Sequence, residues 1–171
     1  MANGGCYLLT FLSLLFSLDL CKEEWDGSDA EMPSLVGPLA LWSQASVVGL
    51  RGDPLGPGFR SLILRANVGV GGTLWASLAF DGPRGHIAAS WSLLPTPGNG
   101  TASGDVRITF TVPPGSSATV FIPTLDATTV TEGGQPASTA VGVTFVRQAG
   151  DRAVFEVTSG SFAFEARFEH Q

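Results

Sequence analysis

Lysine is almost missing from this 171-residue chain: Lys22 stands alone, and eight arginines bring the basic total to 9 against 15 Asp and Glu, a formal charge of −6. With no basic face to neutralise phosphates, nucleic acid is excluded as a default partner. Cysteine is nearly as scarce. Cys6 and Cys21 both fall in the first 21 residues, which excludes a disulfide scaffold for the rest and leaves open only whether those two pair with each other. Two histidines, His86 and His170, give no spaced cluster for zinc, so neither a structural metal nor a metal cofactor is expected. Both imidazoles read as structural or surface groups. Charged residues make up only 14% of the chain while 44% is hydrophobic, so the composition of disorder is absent too.

Long apolar runs are also lacking. The longest, Tyr7 to Leu18, has twelve residues closed by Asp19, short of the roughly 20 needed to span a bilayer. Two readings of residues 1–20 stay open. One is a signal-like segment, which would send the chain out of the cell, although no Lys or Arg precedes the run and no small-residue cleavage site follows it. The other is a buried helix, apolar all round, left from a larger helical domain.

What is present in quantity is glycine and proline, 22 and 11 residues, and therefore turns. Leu35, Val36, Leu39, Ala40, Trp42, Ser43 and Val47 keep helical spacing, which predicts one helix of about a dozen residues stopping by Gly49. Arg51 to Gly58 (RGDPLGPG) reads as a loop and as the boundary between residues 21–58 and a second unit, 59–171. From Phe59 the period changes to two. Leu74, Ala76, Leu78 and Phe80 alternate with Thr73, Trp75, Ser77 and Ala79. Val106, Ile108, Phe110 and Val112 do the same with Arg107, Thr109 and Thr111. Turn residues recur about every ten positions, and the last three runs, around Phe145, Phe155 and Phe164, predict a closing three-stranded meander. The expected fold is mainly β: a jelly-roll-like antiparallel sandwich of eight or nine strands, with a short helical remnant before it.

Catalytic motifs are few. No G-x-S-x-G occurs, and Gly69-Val-Gly-Gly72 joins two strands without opening a helix, so it is a turn and not a phosphate cradle. Trp75 and Trp91 are candidates for stacking on a sugar face, although aromatics in sandwiches more often pack in the core. Asn99-Gly-Thr101 is a glycosylation sequon whose meaning depends on secretion. Glu23, Glu24, Asp26, Asp29 and Glu31 crowd around Trp25; by composition this is a solvated turn, though a pair of carboxylates is all that glycoside hydrolysis requires.

Longer stretches are specific. Val47 to Arg60 (VVGLRGDPLGPGFR) resembles the AGIRPDPxxPGFK segment that joins the helical barrel to the C-terminal domain of bacterial-type α-L-rhamnosidases. Leu74 to Trp91 (LWASLAFDGPRGHIAASW) is similar to that family's A-S-Y-D-S-P-Y-G-x-I-x-S-x-W. Val112–Pro123, Val130–Gly134 and Val154–Phe164 continue the likeness, which runs from about Cys21 to Phe164.

The resemblance implies the end of an (α/α)6 barrel followed by a C-terminal β-sandwich. It also implies a family activity of inverting hydrolysis of terminal α-L-rhamnosides, with no cofactor. Lys22-Glu-Glu-Trp25 resembles the family's W-E-x-W, which places Glu23 on the water-activating general base and Trp25 on the substrate-binding tryptophan after it. Lys22 stands where the motif has its first Trp. Glu31-Met32 stands where the family has an Asn-His pair, and a methionine fills the volume of imidazole without its hydrogen bonds. On this footing the chain is a C-terminal fragment, inactive alone, whose ligand is a rhamnose-containing glycoside or polysaccharide. Two other readings are a free carbohydrate-binding sandwich using Trp75 and Trp91, and a module docking onto a separate helical barrel through the Leu35 to Val47 helix.

Overall fold

A computed structural model describes residues 44–95 and 103–169. It opens with one wide helical turn, Gln44–Val48, closed by the Gly49 N–H donating to the Gln44 carbonyl at 2.9 Å. The turn stops at Gly49, where the sequence predicts the helix end; residues 35–43 of that helix lie outside the described residues.

Eleven strands follow: β1 (Leu50–Gly52), β2 (Ser61–Arg65), β3 (Trp75–Gly82), β4 (Gly85–Pro95), β5 (Ser103–Val112), β6 (Ser117–Pro123), β7 (Thr131–Glu132), β8 (Gln135–Pro136), β9 (Val143–Ala149), β10 (Arg152–Val157) and β11 (Gly160–Glu169). They form a two-sheet β-sandwich, one sheet in the order β1-β2-β6-β10-β9 and the other β3-β4-β5-β11-β7-β8. The count exceeds eight or nine because β1, β7 and β8 are two or three residues long, too short to show a period. Arg51 and Gly52 belong to β1, paired with Ile63 and Leu62, so the sheet starts before the predicted loop.

Two features of the topology depart from expectation. All pairings among the described residues are antiparallel except β2 with β6, which run parallel from Ser61↔Ser117 to Arg65↔Phe121. A parallel pair needs a long crossover, and here β3, β4 and β5 of the opposite sheet supply it. The closing meander does not form either. β10 is flanked on one edge by β9 and on the other by β6, so no edge is left for β11. The chain turns through Thr158-Ser159, with Gly160 at φ +148°, and crosses to pair with β5 along its whole length.

Alternation along each strand sends one set of side chains inward. Val106, Ile108, Phe110 and Val112 are all buried, as their spacing predicts, and face Leu62, Val120, Ile122 and Phe155 of the other sheet across one core. Phe155 reaches across the sandwich to Phe164, ring centroids 5.6 Å apart, and Phe164 stacks on Phe110 at 5.7 Å. Such rings dominate the burial energy, at about 1.5–3 kcal/mol for each large side chain. Leu74 departs from the pattern: it precedes β3 and is half exposed.

Candidate functional site

Glu23 and Trp25 lie outside the described residues, as do the other acidic residues around them, Met32, the Asn99 sequon, both cysteines and His170. Of the two tryptophans considered for sugar stacking, Trp91 is a core residue, 2% exposed. It is in phase with Ile87 and Ala89 on the inner face of β4, and its Nε1–H donates to the Val47 carbonyl at 3.0 Å. It is not available to a ligand. Trp75 is half-buried on the outer face, opposite Ser92. His86 is a surface group whose Nδ1 lies 2.9 Å from Asp81 Oδ1 across the β3–β4 hairpin.

The strongest local construction is the junction through which the N-terminal part of the chain enters the sandwich. Three polar contacts hold it. Trp91 reaches Val47, the Asn67 side-chain amide donates to the Ser46 carbonyl at 2.6 Å, and the Arg65 N–H donates to the Gly49 carbonyl at 2.8 Å. Gly49, at φ +81°, packs directly on the Arg65–Ala66 peptide. One peptide further on, the Arg152 guanidinium donates to the Ala66 carbonyl at 2.9 Å. Burial pushes the Arg152 pKa below its ordinary value; the negative charge of Asp151 opposes this and the positive charge of Arg65 adds to it. Asn67 and Arg152 carry no motif, and their partners are 21 and 86 residues away in sequence, so sequence alone gives no signal for them.

The outer face of the six-stranded sheet is a shallow hollow of about 790 Å3 floored by Ser, Ala and Thr side chains and edged by Glu132. Several polar groups of this face pair across its strands. Ser90 Oγ meets Thr109 Oγ1 at 2.6 Å, Thr111 Oγ1 meets Ser161 Oγ at 3.1 Å, and Arg107 donates twice to Glu165 at 2.6 and 2.8 Å. Each hydroxyl pair keeps one O–H free for a further acceptor. Among the described residues no group of three His, Cys, Asp or Glu could hold a metal ion, and no helix is long and apolar enough to cross a membrane.

One carboxylate is tuned by its turn. Asp126 caps the short Ala127–Thr129 helix, accepting from the Thr128 hydroxyl at 2.7 Å and the Thr128 N–H at 2.9 Å. Those bonds favour the charged form and hold its pKa below the ordinary 3.8, with slight desolvation opposing. Because the folded value is depressed, the cap is complete above the unfolded value and is lost as pH falls through the folded one. The protection of the Thr128 amide, its exchange rate relative to that of an unstructured amide at the same pH, is therefore expected to hold as pH is lowered through 3.8 and to fall only below it. The Asp126→Asn variant should lose that pH dependence.

Residues 49–137 match the family model described as the bacterial alpha-L-rhamnosidase C-terminal domain, so the match begins at the junction glycine. The fold is similar to part of the Streptomyces avermitilis α-L-rhamnosidase solved with L-rhamnose, with a TM-score of 0.60 and 28% identity over 76% of this chain. It is also similar to part of the α-L-rhamnosidase of Dictyoglumus thermophilum, with a TM-score of 0.58 and 20% identity over 78% of this chain, a likeness of fold alone. The chain spans 11% and 14% of the length of those two structures. A search of the curated proteins gave no match. With just over half of its residues matched by the family model, and with the sandwich topology to go with it, this chain belongs to the bacterial α-L-rhamnosidase C-terminal domain family.

Proposed function

We propose that this chain serves as the C-terminal portion of an α-L-rhamnosidase-like glycoside hydrolase, in which the sandwich supports an adjoining catalytic barrel. The observation that carries this reading is the family match over residues 49–137 beginning at Gly49, where the structure clamps the incoming chain. In this reading Glu23 is the general base that activates water and Trp25 lines the sugar site. Inverting hydrolysis needs a second carboxyl group to protonate the leaving oxygen, set far enough from the first to admit that water. In this reading the general acid is supplied by the barrel that the sandwich supports, and the chain by itself is inactive.

The test is hydrolysis of p-nitrophenyl α-L-rhamnoside by the purified 171-residue chain. No turnover above buffer is expected. Turnover that Glu23→Gln abolishes would overturn the assignment of inactivity, since the acid would then have to lie within this sequence. The reading of a free sandwich that stacks sugars on Trp75 and Trp91 loses half its basis, because Trp91 is in the core.

A further inference from the structure

The outer face of the five-stranded sheet has a different chemistry from that of its counterpart. Thr119, Glu156 and Thr144 stand in one row across β6, β10 and β9, on strands about 5 Å apart. A second row lies beside it, where Ser61 pairs with Ser117 and the Thr158 N–H donates to the Gly142 carbonyl at 3.0 Å. Asp53 closes the near end, its N–H bound to the Ser61 carbonyl at 2.9 Å.

These groups line a cavity of about 400 Å3. It exists because side-chain height falls in the second row. Gly142 has no side chain, and a Cβ there would lie 2.6 Å from the Thr158 hydroxyl. Glu156 and Asp53 are the two carboxylates in its lining.

The two faces differ in how many side chains bond to one another. There, hydroxyls pair with hydroxyls and Arg107 with Glu165. In this basin no hydrogen bond among the described residues joins the Glu156 carboxylate to any of the five hydroxyls. The one bond to a carboxylate is the Leu55 N–H to Asp53 Oδ1 at 2.9 Å, a local turn that leaves the second oxygen open. The basin thus presents two carboxylates and five hydroxyls with capacity to spare. The like charge of the carboxylates opposes an anionic ligand. They accept without donating, and hydrogen bonds from hydroxyl groups to ionised oxygens are the stronger kind. A ligand dense in hydroxyls, able both to give and to take, matches this set, and the volume suits one sugar ring at the low end of ordinary ligand pockets.

We propose that this basin is a binding site for a neutral monosaccharide unit, the end of a glycan chain, with Glu156 as its principal hydrogen-bond acceptor. The site stands apart from the assignment of Glu23, so the hydrolysis assay and a binding assay here fail independently of each other.

The experiment is an amide-resolved NMR titration of the whole 171-residue chain with L-rhamnose, with D-glucose, and with calcium chloride alone. Saturable shifts from at least one sugar are expected at Thr119, Gly142, Thr144, Glu156 and Thr158, with millimolar affinity. Glu156→Gln should weaken that binding about tenfold, the effect of replacing a charged acceptor by a neutral one. Ser90→Ala on the opposite face should leave it unchanged. Glu156 is exposed, so the variant is expected to fold, and the dispersion of its spectrum checks this. The proposal is overturned if neither sugar gives saturable shifts, if the shifts fall on the opposite sheet, if folded Glu156→Gln binds as well as the parent, or if calcium alone reproduces the pattern.

Discussion

Replacing Gly49 by alanine is expected to destabilise the sandwich by about 4 kcal/mol or more, among the largest effects a single methyl group can have. At φ +81° an L side chain already carries a cost of roughly 1–2 kcal/mol. The larger part is steric. A Cβ at Gly49 would sit 1.9 Å from the Arg65 carbonyl oxygen, 2.3 Å from its carbon and 2.8 Å from the Ala66 nitrogen. All three are main-chain atoms of β2 or the residue after it, so no rotamer change relieves the clash. The backbones must part, and with them go the Arg65 N–H to Gly49 bond, the Leu50↔Leu64 pairing and the burial of Val48 and Leu50. Gly58→Ala is the control: its φ is +68° and nothing lies within 4 Å of the added carbon, so only the conformational cost of about 1 kcal/mol applies. Urea unfolding of the two variants measures the difference. A Gly49→Ala protein as stable as Gly58→Ala would show that the junction is not clamped as described.

What the sequence made legible follows from how local each feature is. Period-two alternation is a property of one strand, and it located the inner faces of β3 and β5 with their residues in phase. Pairing is a property of two strands and left no comparable mark. The runs at Phe145, Phe155 and Phe164 look alike and follow one another closely, yet β10 takes β6 as its second neighbour and β11 changes sheets. The parallel β2–β6 pair joins segments more than fifty residues apart, and no local signal announces it.

Trp91 could have been placed. It continues the phase of Ile87 and Ala89, which argues for the core against stacking on a sugar, but the Val47 carbonyl that accepts its N–H lies 44 residues away. The basin on the five-stranded sheet was invisible for the same reason, because its hydroxyls come from segments that no spacing rule connects. Glu23 and Trp25 are different again. They were read only from the likeness of Lys22–Trp25 to a family motif, and no contact among the described residues bears on their roles.

Trp91 joins the fold to its junction, and two substitutions separate its contributions. Trp91→Ala is expected to cost about 3–5 kcal/mol, since it empties a fully buried ring site that the surrounding strands cannot collapse to fill. Trp91→Phe keeps most of the apolar contact but removes the Nε1–H, leaving the Val47 carbonyl unpaired, for a cost of about 1–3 kcal/mol. The two should differ in where the loss appears. Opening in the alanine variant spreads through the inner faces of both sheets, because Trp91 shares one core with Ile108 and Val106. In the phenylalanine variant it concentrates at the junction, and hydrogen exchange should quicken first at Gly49 and Arg65, whose amides close the turn and tie it to β2. If Trp91→Phe left both the unfolding midpoint and those two amides unchanged, the indole hydrogen bond would not be what holds the incoming chain, and that role would pass to Asn67 and Gly49.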